Sequence, residues 1–213
     1  MWFLWVSIAM AGQPVFLGFS PSGRFAAVAE VDANGSTTHA ELRSIDVDAG
    51  AWSHWPASGD GADTARAVSA AERAAGKPYV AQHIDPNTPG QSLTFWLEGD
   101  HSAAVWPRTM DARVRTTAGT GVLSLTETPT GTDCSGSFAV TPTWVWRGPD
   151  GRAVDLLRLR GPRRWPTCTT SFALAEVREG PAGALVFLIR ATELVDGDVR
   201  MHTVLAATRL GTR

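Results

Sequence analysis

The chain has 213 residues, 44% of them hydrophobic and 19% charged, with a formal net charge of −2. That balance excludes a disordered chain and fits one globular domain with a sizeable core. It also excludes the basic stripe that nucleic-acid binding requires, because the nearest approach to one, Arg158, Arg160, Arg163 and Arg164, reads as a solvated rim around a loop.

In chain order, the start MWFLWVSIAMA has the apolar run Trp2–Ile8 and the small-x-small pattern Ala9-Met10-Ala11. This is the pattern of a signal peptide over 1–11 with cleavage after Ala11, leaving 12–213 as a single β-rich domain; the alternative for the same stretch is a buried first strand. The apolar run is too short for a transmembrane helix and no later stretch approaches one, so the mature chain is expected to carry no transmembrane segment. The residue directly after the cleavage point is Gly12 and not a cysteine, so a lipid anchor is not indicated.

From Phe16 to Trp55 the sequence reads as a β-meander. Strand-like runs Val15–Phe19, Phe25–Val31, Ala40–Val47 and Ala51–Trp55 are separated by Ser20-Pro21-Ser22-Gly23, Asp32-Ala33-Asn34-Gly35 and Asp48-Ala49-Gly50. Proline suits the second position of a type I turn, a glycine after it closes a hairpin, and Asn-Gly is a strong hairpin signal. In Ala40–Val47, alternation puts Leu42, Ser44 and Asp46 on one face, with Arg43, Ile45 and Val47 on the other. The small alanines of Phe25–Val31 point to a strand covered on both faces.

Pro56–Asp63 reads as a linker into the one convincing helix, near 63–76. Asp63 is placed to cap it, alanines give it propensity, Gly76 suits its end and Pro78 stops it. With Val68 as its only large apolar residue, it should lie on the sheet as a surface element. Tyr79–Ile84 fits either a strand or a helical turn. Strands resume at Leu93–Glu98, Ala103–Trp106, Ala112–Thr116 and Val122–Thr126. They continue at Ser137–Arg147, Arg152–Arg160, Thr170–Arg178, Ala184–Glu193 and Val199–Arg209. The turn prolines at 21, 149 and 181 share a P-x-G pattern, but no blade-length period links them, so the echo is hairpin chemistry rather than a repeat. The expected fold is mainly β: an antiparallel sandwich or distorted barrel built of hairpins, with one short surface helix.

Cys134 and Cys168 are the only cysteines. An even pair behind an export-like start predicts one disulfide, worth roughly 3–4 kcal/mol by the chain-entropy model. There is no C-x-x-C and no histidine at ligand spacing, so no metal site or cofactor is expected. The five histidines are isolated; His83, two residues before Asp85, and His101, next to Asp100, are placed for a carboxylate to orient them for general-base work. No G-x-S-x-G elbow occurs, and the glycines of 131–136 precede no helix, which argues against a phosphate cradle. Among nine tryptophans, Trp144 and Trp146 lie two apart in one strand and share a face, so they are the candidate binding residues, able to stack on a sugar ring or a peptide.

The block Gly18-Phe19-Ser20-Pro21-Ser22-Gly23-Arg24-Phe25, then Ile45-Asp46-Val47 leading to Trp52, form the first half of a pattern. The Ala- and Arg-rich helix and Trp165-Pro166-Thr167-Cys168 before paired strands complete it. Together they resemble an uncharacterised family of predicted secreted bacterial proteins. The turn has Ser22 where that family usually has Asp, and Leu194–Met201 lacks its Gly/Asp/Arg-rich last hairpin. The resemblance implies secretion and a β-rich domain, and it carries over no functional residue. The expected function is that of a secreted or periplasmic, non-enzymatic binding or interaction domain, with an envelope protein or a glycan as the kind of partner. The alternatives are an exported hydrolase whose residues meet only in the fold and a small propeller-like scaffold.

Overall fold

Side chains alternate across a strand, so a strand apolar on both faces must be covered twice, and one such strand organises this molecule. The computed structural model describes residues 12–34, 36–98, 106–134, 137–157 and 168–211, with the backbone alone at 34 and 51–58. The signal-like segment 1–11 and the arginines at 158, 160, 163 and 164 lie outside the described residues, as do Asp100 and His101.

The first sheet is the meander β1 (Gln13–Phe19), β2 (Phe25–Asn34), β3 (Thr37–Asp46) and β4 (Ala51–Gly61), in that order and antiparallel throughout. Helix α1 (Thr64–Val80) follows, then β5 (Gln91–Ser92), β6 (Phe95–Glu98), β7 (Arg108–Thr116), β8 (Gly119–Cys134), β9 (Ser137–Arg147) and β10 (Ala153–Asp155). The chain ends in β11 (Thr169–Glu179), β12 (Ala184–Val195) and β13 (Asp198–Arg209). A five-stranded sheet runs β10-β9-β8-β7-β6, and a four-stranded sheet runs β13-β12-β11-β5.

The β13-β12-β11-β5 sheet lies in the middle. Along β12, Ala184, Val186 and Leu188 pack against Phe19, Ala26, Val28 and Ile45 of the meander. Their alternates Leu185, Phe187, Ile189 and Ala191 pack against Leu123, Leu125, Trp144 and Trp146 of the five-stranded sheet. On its far side the meander buries Ala27, Ala29, Ala40 and Leu42 under Ala67, Ala71, Ala75 and Tyr79 of α1. The result is helix, sheet, sheet, sheet: a layered antiparallel stack, with no closed barrel among the described residues. The both-face coverage expected for Phe25–Val31 is present, because Ala26 and Val28 face the central sheet while Ala27 and Ala29 face the helix.

Asp63 caps α1 by accepting from Arg66 N at 2.9 Å, and Gly76, at φ 66°, interrupts the helix where the sequence marks its end. One further turn follows, so Tyr79 is helical and buried rather than in a strand. The expected linker Pro56–Asp63 is corrected: β4 continues to Gly61, pairing Ala40 with Gly59 and Thr38 with Gly61. Its small residues are there for close approach. A Cβ on Gly59 would run into the Ala71 main-chain nitrogen, and one on Gly61 would crowd Ala67. Val122–Thr126 likewise extends to the whole of β8, because β7 and β9 pair it on both sides.

The P-x-G turns behave alike. Gly23, Gly151 and Gly183 all sit at positive φ, 68°, 79° and 70°, where a Cβ is disfavoured. Arg209 gathers this end of the stack, donating to Ala182 O at 3.1 Å and Ser22 O at 3.5 Å while pairing with Asp48. The Arg209 hydrogen bond holds the Asp48 carboxyl below the usual range. Cys134 and Cys168 form the expected disulfide, 34 residues apart, tying the end of β8 to the start of β11.

Gly59→Ala should cost about 1–3 kcal/mol, the range for overpacking a close contact. Urea unfolding measures it, and an unchanged midpoint would show that α1 does not press on β4 as closely as described.

Candidate functional site

A strand at the edge of a sheet leaves every second N–H and C=O pointing away from its only neighbour, and those groups need partners if they are buried. The central sheet has this problem at both sides. Among the described residues, β13 has only β12 beside it, and β5 covers β11 only at Arg178 and Glu179.

On the β13 side the partner is a pair of side chains from the meander. Glu30 shares the inward face of β2 with Ala26 and Val28, and Arg43 shares that of β3 with Ile45. Glu30 Oε1 accepts from Thr203 N at 3.0 Å, and Arg43 Nη1 donates to Thr203 O. Arg43 Nη2 closes the triangle on Glu30 Oε2 at 2.8 Å and reaches Glu41 at 3.4 Å. Carboxylate and guanidinium together stand in for a neighbouring strand: one supplies the acceptor, the other the donor. Both side chains are nearly buried, 10% and 11% exposed. Burial is the largest influence on the Glu30 carboxyl and raises it to about 7, outweighing Arg43. Burial, followed by the charge of Arg43, lowers His202. These groups line one wall of an open cleft of about 400 Å³ that also includes His39, Glu193 and Arg200.

The β11 side repeats the device. Glu127 follows Leu123 and Leu125 on the inward face of β8, directly opposite Arg108 of β7. Glu127 Oε1 accepts from Phe172 N at 2.6 Å, and Glu127 Oε2 pairs with Arg108 Nη2 at 2.6 Å. The Arg108 guanidinium lies 4.0 Å over the Trp106 ring. Beside this pair a groove of about 300 Å³ opens between β6, β7 and β8 on one side and Ser171–Ala173 on the other. Leu97, Met110, Leu125 and Phe172 form its apolar lining.

The expected binding residues lie elsewhere. Trp144 is fully buried and Trp146 is 2% exposed, so they are core side chains and offer no stacking surface. The alternation that gives them a common face is real, but that face is the inward one. Trp144 meets Phe172 edge-on with ring centroids 5.4 Å apart, and Trp146 meets Phe187 at 5.3 Å. Trp144 therefore backs the groove wall instead of forming a site. Leu97, one of the exposed large apolar side chains, lines the groove, whereas its neighbour Trp96 lies on the opposite face of β6, across from Arg113.

His83 and Asp85 do not form a catalytic pair. Asp85 spends Oδ1 on Asn87 N at 2.9 Å and Oδ2 on Thr88 Oγ1 at 3.1 Å, building its own loop. The Asn87 N–H keeps the exposed Asp85 carboxyl below its ordinary range. Among the described residues, no three His, Cys, Asp or Glu side chains gather as a metal site.

Sequence reading passed over the two carboxylate–guanidinium pairs, though a signal exists. Each member is a charge in register with an apolar stripe: Ala26-x-Val28-x-Glu30, Arg43-x-Ile45-x-Val47, Arg108-x-Met110-x-Ala112 and Leu123-x-Leu125-x-Glu127. Comparison with protein-family models, with curated proteins and with solved structures found no match for the chain.

Two outcomes follow. Glu127→Ala strands the Phe172 N–H and leaves Arg108 uncompensated, which should cost about 3 kcal/mol in urea unfolding, the low end for a broken buried pair because Arg108 is partly exposed. Glu30 titrates near 4.5 when unfolded and about 7 when folded, so the folded state holds its proton more tightly. Its contribution is complete below 4.5 and is lost as pH rises to about 7, on the order of 3 kcal/mol. His202 acts oppositely, losing stability as pH falls below its ordinary value of 6.5. Subtracting the stability–pH curve of Glu30→Gln from that of the wild type isolates the Glu30 slope. A difference that is flat from pH 4.5 to 7 would contradict the burial argument.

Proposed function

We propose that this chain is an exported, extracytoplasmic binding domain without enzymatic activity, and that its ligand enters the groove beside Arg108 and Glu127. The observation that carries the reading is the groove itself. It is concave and mostly apolar, with one fixed polar end, the usual make-up of a small-molecule site, and its 300 Å³ is at the small end of such sites. Phe172, resting on Trp144, and the nearby disulfide, which anchors the start of β11, hold one wall in place.

Export is supported by the Cys134–Cys168 disulfide, since such bonds persist in oxidising compartments, and by the signal-like start. No helix among the described residues is long and apolar enough to cross a membrane. The resemblance to predicted secreted bacterial proteins agrees with this placement.

A fragment screen by thermal shift tests the binding reading. At a hundred times Kd a ligand adds about 2.7 kcal/mol, which raises Tm by several degrees in a chain of this size. Met110→Trp fills the groove and should abolish those shifts while leaving the far-UV circular dichroism unchanged. Hits that persist in a folded Met110→Trp protein would place binding elsewhere. For export, the mass of the mature protein under non-reducing conditions should correspond to cleavage after Ala11 and one oxidised pair. An intact start with two free thiols would overturn that placement.

A further inference from the structure

Resting on the binding reading above, we infer that the groove takes small aliphatic carboxylates, with Arg108 holding the carboxylate head and the apolar lining holding the chain. The argument begins with donors left over. A guanidinium carries five N–H groups in a planar fork, and Arg108 gives only one of them, on Nη2, to Glu127. Among the described residues Nη1 has no acceptor, and Nε is buried without one. The side chain lines the groove and is 30% exposed, so a partner from outside the protein can meet it there.

The contacts that Arg108 does make fix the guanidinium without using it up. Glu127 holds one corner at 2.6 Å, and the group lies 4.0 Å over the Trp106 ring. The charge of Glu127 is shared between two donors, the Phe172 N–H on Oε1 and Arg108 on Oε2, and its side chain is only 10% exposed. What the groove meets is the donor side of the pair. An arginine held in this way has little freedom left to lose on binding, and its charge-assisted bonds to a carboxylate are among the stronger polar contacts.

The rest of the lining specifies what the carboxylate is attached to. Leu97, Met110, Leu125 and Phe172 form an apolar trough, and the flexible thioether of Met110 lets it adjust to a chain. Arg108 is the only cation among the described lining residues, which fits one anionic group and not two. A cationic head would meet unused N–H donors and be repelled. An alcohol would accept a bond without the charge that strengthens it.

Met110 lines the groove, whereas Met201 lies in the cleft on the opposite edge of the central sheet, so its methyl serves as an internal control. Protein labelled with ¹³C at the methionine methyls is titrated with octanoate, 1-octanol and octylammonium, three chains of one length and different charge. The Met110 resonance, assigned with Met110→Leu, should shift saturably with octanoate while Met201 stays in place. 1-Octanol should bind roughly tenfold more weakly, the effect of losing a charge-assisted bond, and octylammonium more weakly still. The double variant Arg108→Gln with Glu127→Gln removes the cation without leaving a buried carboxylate alone, and it should abolish the preference for octanoate over 1-octanol. If 1-octanol or octylammonium binds as tightly as octanoate, or the folded double variant keeps the preference, Arg108 does not select carboxylates although the groove still binds. A double variant that does not fold leaves the comparison of the three ligands on the wild type to decide. If none of the three moves the Met110 methyl, or all move both methyls alike, the groove is not a site and the binding reading falls with it.

Discussion

The structure depends on how a sheet can be buried on both faces and still end. Stacking covers the faces of the central sheet, but stacking does nothing for the N–H and C=O groups that point out of its sides. At Thr203 both groups are met by side chains, the N–H by Glu30 and the C=O by Arg43, and at Phe172 the N–H is met by Glu127, itself paired with Arg108. The two carboxylates come from different sheets on opposite faces of the central one, and each accepts from one outward N–H. An unpaired buried N–H costs about 1–3 kcal/mol, and a lone buried charge costs more, so neither half of either pair is dispensable. A pair of this kind is weak evidence for net stability, since two charges must be desolvated to make it. Its evident consequence is specificity: a side of the sheet so occupied is unavailable to a further strand.

The two pairs differ in setting, and the difference separates structure from candidate function. Glu30 and Arg43 sit among other titratable groups at an open cleft, where burial raises Glu30 toward neutrality. Glu127 and Arg108 sit bonded to each other at the end of an apolar groove. Here the device that completes the fold also shapes the wall of the candidate groove.

Much of the fold was legible because local chemistry and tertiary structure agree. The meander, the Asp63 cap, the break at Gly76, the three P-x-G hairpins and the Cys134–Cys168 bond are all visible as residue types at fixed spacing. Two things were not legible for a common reason: the sequence shows which residues share a face but not which face is inward. Trp144 and Trp146 share a face, and only the packing of β9 onto the central sheet turns it into core. Gly59 and Gly61 look like linker residues, and only the arrival of α1 explains why a strand there must be small. The charged pairs were visible as interruptions of apolar stripes. Their meaning came from Thr203 and Phe172, which lie far away in sequence.

The most direct measurement of the account is native-state hydrogen exchange at two amides, Thr203 and Phe172. Both belong to strand positions that, among the described residues, have no neighbouring strand on that side, yet each donates to a buried carboxylate. If the carboxylates complete the sheet, both amides should exchange only through global unfolding, with protection equal to that of Phe187 and Ile189 in the middle of β12. Exchange at the rate of unprotected surface amides, with Phe187 and Ile189 still protected, would contradict it.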